Sequence, residues 1–431
     1  MNRPLIPAAP TADAPSRRTF LIAATATGAV FGFASPALAA LNLGPPGAAG
    51  FEPTIWYRVD PQGVVTVNVI RAEMGQHVGT AVARIVAEEL EADWDKVRIV
   101  HVDSDPRWGL MVTGGSWSVW QSFPLMSQAG AAGRIALIEA GARMLGVAPK
   151  DCVARKGAVV AGSKSVSYGE IAAKGGLKAG FTADELKAMP IKPVSERRLI
   201  GHDTQARDIP DKTNGKAIYG IDAEAPGMVF ARPKIPPTRN DSKVVSVDDS
   251  AARAVPGYQK SLVLDDPSGT VPGWVVVLAD SFVAADRAAE LVKVQWTTGM
   301  SATVSEKDLQ AHAAQLIADP KTGSTVLDDP GVDDAFKAAR STLEATYTTA
   351  SALHFQLEPV NCLALEKDGV FEIHTGNQWQ SLILPTLSKA LGRPEDKIVL
   401  KTYLLGGGFG RRLNGDYAVP AALAAKAIGK P

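Results

Sequence analysis

Cysteine is nearly missing: Cys152 and Cys362 are the only two among 431 residues. An iron–sulfur cluster needs about four thiolates, so any such cluster would have to sit on another chain. The two thiols can form one disulfide in an oxidising compartment, but two separately buried thiols are the expected state. Histidine is scarce as well. Six are present, none at metal-ligand spacing, which argues against a zinc or copper site. No sign of charge dominates: Lys+Arg and Asp+Glu both total 45, so no overall field favours nucleic acid or an anionic membrane. Beyond the N-terminus no apolar run approaches the ~20 residues needed to cross a bilayer. No Ser-His-Asp, Cys-His or metal-ligand constellation stands out, which disfavours an ordinary hydrolase, though such partners need not be neighbours in sequence.

Glycine and proline are plentiful, at 40 and 29, and imply many loops. A hydrophobic share of 46% with 21% charged residues is a globular balance, and the length suits two or three domains. The N-terminus reads as an address. Ser16-Arg17-Arg18-Thr19-Phe20-Leu21 precedes an Ala-rich apolar run, and Ala37-Leu38-Ala39 follows as a small-residue cleavage site. That is the twin-arginine signal pattern, over residues 1–39, and it predicts export of an already folded protein to the periplasm. The apolar run is too short, and too interrupted by Gly28, Gly32 and Pro36, for an anchor helix.

Residues 40–52 read as a Gly/Pro/Ala linker. Periodicity then predicts a strand at 64–72, a helix at 79–92 with Glu88 and Glu89 facing out, and a strand at 97–102. A loop rich in Gly, Trp and Ser is expected over 104–122, an Ala-rich helix over about 128–146, and small strands and turns up to about 195. A second unit starts near Asp208, with strands at 217–221, 243–247, 259–264, 274–278 and 292–296 and a helix at 281–291. A third begins near Thr342. Lys367-Asp368-Gly369 marks a hairpin turn, followed by a helix at 380–391, a strand at 398–404 and a helix from about Asp416. Asp95-Lys96-Val97-Arg98-Ile99 and Asp396-Lys397-Ile398-Val399-Leu400 echo one another, each after a helix and before a glycine loop. Two related modules or a chance match both account for so short an echo.

Four loops are candidates for chemistry. Gly406-Gly407-Gly408-Phe409-Gly410-Arg411-Arg412 lies between a strand and a helix. Its glycines let backbone N–H groups approach an anion, and the arginines would add charge-assisted contacts to phosphate. It is neither a Walker loop nor a dinucleotide fingerprint, and a plain glycine turn with two solvated arginines is the competing reading. Glu73-Met74-Gly75-Gln76-His77 closes the first strand, where Gln76 can donate an amide hydrogen bond. Thr113-Gly114-Gly115-Ser116-Trp117-Ser118 offers hydroxyls beside Trp108, Trp117 and Trp120, aromatics that suit a pocket wall or a packed loop core equally well. Gly376-Asn377-Gln378-Trp379-Gln380 precedes a helix, where Asn377 also fits a simple N-terminal cap.

In this order the loops resemble the molybdenum hydroxylases of the xanthine dehydrogenase and aldehyde oxidoreductase superfamily. The likeness is greatest to isoquinoline oxidoreductase large subunits and to the membrane-bound aldehyde dehydrogenases of acetic acid bacteria. Phe51-Glu52-Pro53-Thr54-Ile55-Trp56, Ile70–His77, Met111–Trp120, Gly376–Gln380 and Leu404–Arg412 carry it, and 208–296 resembles that family's α/β-hammerhead domain. The resemblance implies an α+β fold: a permuted molybdopterin-binding module at 53–200, a hammerhead at 205–300, and the start of the main molybdopterin-binding domain at 301–431. It implies that Gly407, Gly408, Phe409, Gly410 and Arg411 lie against a molybdenum centre, with Phe409 beside the metal. Gln378 would direct its amide to that centre, and Gly75, Gln76, His77, Gly115 and Ser116 would bind the pterin and its phosphates.

The implied cofactor is molybdopterin, in its cytosine dinucleotide form, with no protein side chain on the metal. The implied chemistry is hydroxylation at a carbonyl carbon assisted by a glutamate base. Electrons would pass to a small [2Fe–2S] subunit and then to a cytochrome c subunit, carrying haem c, that reaches membrane quinone. Attachment to the outer face of the inner membrane would come through such a partner. Nothing in the sequence points to pyrroloquinoline quinone. The family's glutamate lies in a Gly-x-Gly-Glu segment expected beyond residue 431; Glu73 and Glu358 are the nearest candidates here, and neither fits that motif. The chain is therefore expected to be an incomplete one, inactive alone and insoluble or cofactor-free. Hydroxylation of an N-heterocycle, or a non-catalytic exported binding protein, are the alternatives.

Overall fold

The computed structural model describes residues 51–431 except 175, 176, 179 and 320. The predicted signal peptide and the linker up to residue 50 lie outside the described residues. Strand β1 (Phe51–Thr54) occupies the last two positions predicted as linker. The chain divides into two compact units. One runs to Ala223 and includes His374–Leu384 and Val399–Gly415; the other comprises Glu224–Ile373, Pro385–Ile398 and Asp416–Pro431.

In the first unit β1, β2 (Tyr57–Val59), β3 (Val65–Val69) and β4 (Val97–His101) form a sheet in that order. Strand alternation puts Tyr57, Val59, Val65, Val67 and Val69 inside. β2 and β3 pair antiparallel, Tyr57 opposite Val67, whereas β3 and β4 pair parallel, Val65 opposite Val97. A parallel neighbour needs a crossover, and helix α1 (Val78–Leu90) supplies it.

Glu88 and Glu89 do not face out as periodicity predicts; they are 0% and 2% exposed. Residues 192–200 cover them. Lys192 Nζ donates to Glu88 Oε1 at 2.6 Å, and the amides of Arg198, Leu199 and Ile200 donate to Glu88 Oε2 at 2.8, 2.6 and 3.0 Å. Burial pushes the Glu88 carboxyl up, but Lys192 and the three amides outweigh it and the net shift is downward. For Glu89 burial wins and the carboxyl is raised, although the Lys192 amide donates to it.

Helix α2 (Ser118–Leu145) packs along α1. It starts well before the predicted 128, taking in residues read as loop. Small residues allow the approach: a Cβ on Gly133 would lie 1.7 Å from the Tyr57 hydroxyl, which donates to the Ala129 carbonyl at 3.1 Å. A three-stranded antiparallel sheet, β5 (Val153–Arg155), β6 (Ala158–Ala161) and β7 (Lys164–Ser167), follows, with short helices α3 (Tyr168–Lys174), α4 (Ala183–Lys187) and α5 (Ile209–Thr213). The strand predicted at 217–221 is not formed. Asp222 accepts the Tyr219 amide at 2.9 Å and closes a 3-10 turn, leaving Tyr219 one isolated bridge, to Leu404.

The second unit holds β8 (Phe230–Lys234), β9 (Lys243–Asp248), β10 (Tyr258–Val263), β11 (Val275–Ala279), α6 (Phe282–Leu291) and β12 (Lys293–Thr297). β11 is buried at every position and is central in the order β10-β11-β8, while β12 pairs with β9. The strands expected at 243–247, 259–264, 274–278 and 292–296 and the helix expected at 281–291 are formed to within a residue or so, whereas 208–223, expected to open this unit, falls in the first one. Helices α7 (Glu306–Ala318) and α8 (Val332–Ala338) bury none of their residues.

Further on come the predicted hairpin, β13 (Leu363–Lys367) and β14 (Val370–Thr375), then α9 (Gln380–Leu391), β15 (Ile398–Thr402) and α10 (Ala418–Ile428). The chain is thus α+β throughout. Both cysteines are free. No helix among the described residues is long and apolar enough to cross a membrane.

The sequence echo has a structural counterpart. β2–β3–α1–β4 and β13–β14–α9–β15 are each a hairpin, a helix and a returning strand, and a 3-10 turn (Trp94–Lys96 or Glu395–Lys397) leads into the last strand in both.

Candidate functional site

All four predicted loops belong to the first unit, and each follows a strand of the repeated pattern: 70–77 after β3, 102–117 after β4, 376–379 after β14, and 403–415 after β15. Loops at the C-terminal ends of such strands lead into helix N-termini, where backbone N–H groups go unpaired.

Gln378 joins them. It is 2% exposed. Its amide donates to the Arg412 carbonyl at 3.1 Å, and its carbonyl accepts from the Thr113 amide at 2.7 Å. Its side chain donates through Nε2 to the Thr113 carbonyl at 2.9 Å, while Oε1 accepts from the Gly410 amide at 3.1 Å. Both after-strand loops are therefore tied to one residue. Thr113 Oγ1 in turn accepts from Ala72 at 2.7 Å, and the Leu405 amide donates to the Glu73 carbonyl at 2.9 Å, which brings in the first loop. The loops come close together at Gly408. A Cβ there would lie 2.3 Å from Met74 Sδ and 2.8 Å from the Gln378 amide group.

On this buried platform the outer residues take left-handed backbone: Gly75 (φ 110°) and His77 (58°), Gly115 (56°) and Ser116 (60°), Gly407 (104°), Phe409 (52°) and Gly410 (87°). Consecutive turns of this kind make concave nests of amides. The backbone N–H groups of Gln76, Gly115, Ser116, Gly407 and Phe409 donate to no protein acceptor among the described residues. Gly75, Gln76, Gly115, Ser116, Phe409 and Gly410 are exposed, as are Trp117 and Trp120, whereas Trp108 is buried against Trp56 at a ring-centroid distance of 5.9 Å.

Some side chains serve differently from expectation. Gln76 is turned back on its own loop, with Oε1 accepting from Met74 at 2.8 Å and Nε2 donating to Ala72 at 2.9 Å. Arg412 is fully buried, with Nη1 toward the Gly376 carbonyl at 3.4 Å, so it is not a solvated arginine; Arg411 is half-buried.

An ionised staple fixes the first loop, and sequence reasoning missed most of it. Glu73, 1% exposed, accepts through Oε1 from Gly75 (2.9 Å), His77 (3.2 Å) and Lys212 Nζ (2.8 Å). His77 Nδ1 lies 2.9 Å from both Asp208 oxygens, and Lys212 also bonds Asp208. Burial works against both charges, yet Lys212 and His77 hold the Asp208 carboxyl low and the two carboxylates hold Lys212 high. Glu73, His77 and Asp208 each place a metal-ligating atom within 4.8 Å of the others, but the Lys212 ammonium already sits between the two carboxylates. The pairings that join its two halves, Glu73 with Lys212 and His77 with Asp208, span more than a hundred residues, so local spacing carried no signal of them.

A cavity of about 540 Å³, lined by Glu73, His101, Asp208, Lys216 and Tyr403 among others, opens beside the staple. None of the predicted cofactor residues lines it, so the amide nests and this cavity are separate features. Glu358, the other nearest glutamate candidate, belongs to the second unit.

Residues 15–198 match a family profile described as a molybdopterin cofactor-binding domain, and residues 315–431 match another of the same description. Both stretches are molybdopterin-binding domains of the xanthine oxidase family. The chain is 57% identical to the membrane-bound aldehyde dehydrogenase (pyrroloquinoline-quinone) of Gluconacetobacter polyoxogenes, over 96% of this chain and 54% of that protein. It is 31% identical to the isoquinoline 1-oxidoreductase β-subunit of Brevundimonas diminuta, over 99% of this chain and 60% of that one. A nicotinate dehydrogenase subunit of Pseudomonas putida is 29% identical over 90% of this chain and 33% of its own length. The chain thus spans 54% and 60% of the first two relatives.

The site fits a pterin with phosphate groups. Unpaired amides in left-handed turns suit anionic oxygens, and exposed Phe409 offers an aromatic face beside them.

Proposed function

We propose that the chain is the cofactor-holding subunit of an oxidoreductase that converts aldehydes to carboxylic acids. The observation carrying this reading is that three loops, tied together through Gln378 and Thr113, carry five backbone amides that donate to no protein acceptor among the described residues. The name of the 57% identical relative supports the aldehyde as substrate. Gln76, Gly115, Ser116, Gly407 and Phe409 hold the cofactor through their amides, Gln378 fixes the spacing of the loops, and Gly408 leaves room for close approach. When bound, the cofactor supplies a centre able to accept two electrons. The overall change is balanced by water: an aldehyde plus water gives a carboxylic acid, two protons and two electrons.

The cofactor is taken to be the cytosine dinucleotide form. Electrons leave through a small [2Fe–2S] subunit and a cytochrome c subunit, in keeping with two relatives that are themselves named as subunits. The Arg17-Arg18 leader supports a periplasmic location by the twin-arginine route, and 205–300 fits the hammerhead role. The isoquinoline oxidoreductase likeness favours a second reading, hydroxylation of an N-heterocycle.

The test is to purify the chain with its natural partners and measure molybdenum, oxidised-pterin fluorescence and pyrroloquinoline quinone, then assay acetaldehyde against isoquinoline. Molybdenum and pterin in equal amounts with acetaldehyde turnover are expected. Pyrroloquinoline quinone without molybdenum would overturn the reading, and turnover of isoquinoline alone would favour the second one.

A further inference from the structure

The strand that ends in the first loop buries a cation with no counter-ion. Arg71 is 6% exposed. Its guanidinium donates to the Val112 carbonyl (2.5 Å), Gln121 Oε1 (3.3 Å) and Ser122 Oγ (3.4 Å), all neutral acceptors, and no carboxylate pairs with it among the described residues. Burial draws the group down to about 10, which leaves it protonated at neutral pH. A buried charge without a partner of opposite sign is costly, and neutral hydrogen bonds only partly offset that cost. Arg71 is also well placed to matter. It lies two residues before Glu73, it holds the residue before Thr113, and it reaches the first turn of α2 beyond the Gly115–Ser116 turn.

We infer that Arg71 is a positioning residue for the anionic part of the ligand on these loops: its buried charge draws phosphate toward the amides while its hydrogen bonds hold two of the loops together. This rests on the cofactor-binding reading above, and phosphate is the chemistry it recognises. The charge is retained because the ligand completes it. A low-dielectric setting strengthens that attraction relative to a surface arginine.

Charge and scaffolding separate in two variants. Arg71→Lys keeps the cation and loses the planar fork; Arg71→Gln keeps some hydrogen bonding and loses the cation. Each is measured with its natural partners for pterin retained per chain, and for the rise in Tm with inorganic pyrophosphate at low and high salt. Arg71→Lys should retain pterin within about threefold of the wild type, and Arg71→Gln should fall by about tenfold or more and lose the salt-dependent pyrophosphate shift. Equal Tm losses in both variants, with pterin retention and the pyrophosphate shift unchanged, would show a scaffold role only and overturn the inference. A wild type stabilised by pyrophosphate but free of pterin would sink the cofactor reading and, if Arg71→Gln abolished that shift, uphold the role of Arg71. A wild type that responds to neither ligand overturns both.

Discussion

The two hairpin–helix–strand modules repeat one plan but fasten their strand-to-helix loops by different chemistry. In the first, Glu73, Asp208 and Lys212 form an ionic link, with His77 hydrogen-bonded to Asp208, that holds residues 73–77. In the second, Gln378 holds 376–379 and its neighbours with amides. Their helices share an apolar seat, Val82, Ile85, Val86 and Leu90 in α1 and Ile383, Leu384, Leu387 and Leu391 in α9, and α1 adds the buried ion pair of Glu88 and Lys192. A common architecture can thus present equivalent amide surfaces while one half depends on ionisation and the other does not. Charged anchors are costly to break singly, because the remaining partner stays buried.

Perturbations should separate the modules in proportion. The largest effect is expected from Lys192→Met, which strands Glu88 without its cation and should cost roughly 3–5 kcal/mol in urea denaturation. A loss below about 1 kcal/mol would show that the three amides alone satisfy Glu88. Gln378→Ala comes next. It orphans the Thr113 carbonyl and the Gly410 amide, for a loss of about 2–3 kcal/mol and a drop in bound pterin. Unchanged pterin content would remove Gln378 from the centre of the site. Gly408→Ala, which drives a methyl against Met74 and Gln378, should cost about 1–3 kcal/mol and open the loops; amide exchange in 73–77 and 406–411 would reveal it.

The smallest effect is a difference in pH response. Asp208 is held low, so its contribution is present above the ordinary carboxylate value of about 3.9 and is lost as pH falls through its folded value. Lys212 is held high, so its contribution is present below about 10.4 and is lost as pH rises through its folded value. Between those limits the staple is intact. Exchange of the 73–77 amides, corrected for intrinsic rate, should rise at the acid end while that of 376–379 stays flat. Parallel behaviour of the two loops would erase the distinction.

Local pattern was a good guide where local forces decide. The 380–391 helix and the hairpin at Lys367-Asp368-Gly369 follow from spacing and turn chemistry, and the four glycine-bearing loops were found from their composition. Periodicity failed where a distant segment covers a surface. Glu88 and Glu89 look like a solvated face until 192–200 lies over them, and no signal within α1 announces that. It failed again at 118–122, read as loop although these residues begin α2, and it left 123–127 unassigned. In the site, glycines and Gln378 carried a motif, but Thr113, Asp208, Lys212 and Arg71 act through partners far along the chain. Arg412 was misjudged because a terminal arginine of a glycine loop gives no sign of burial.

The most direct measurement is hydrogen–deuterium exchange on the purified complex, before and after its pterin is removed. Exchange at Gln76, Gly115, Ser116, Gly407 and Phe409 should be slowed together in the loaded protein and should rise together once the cofactor is lost. Protection confined to one loop, or none at all, would contradict the claim that the three loops grip a single ligand.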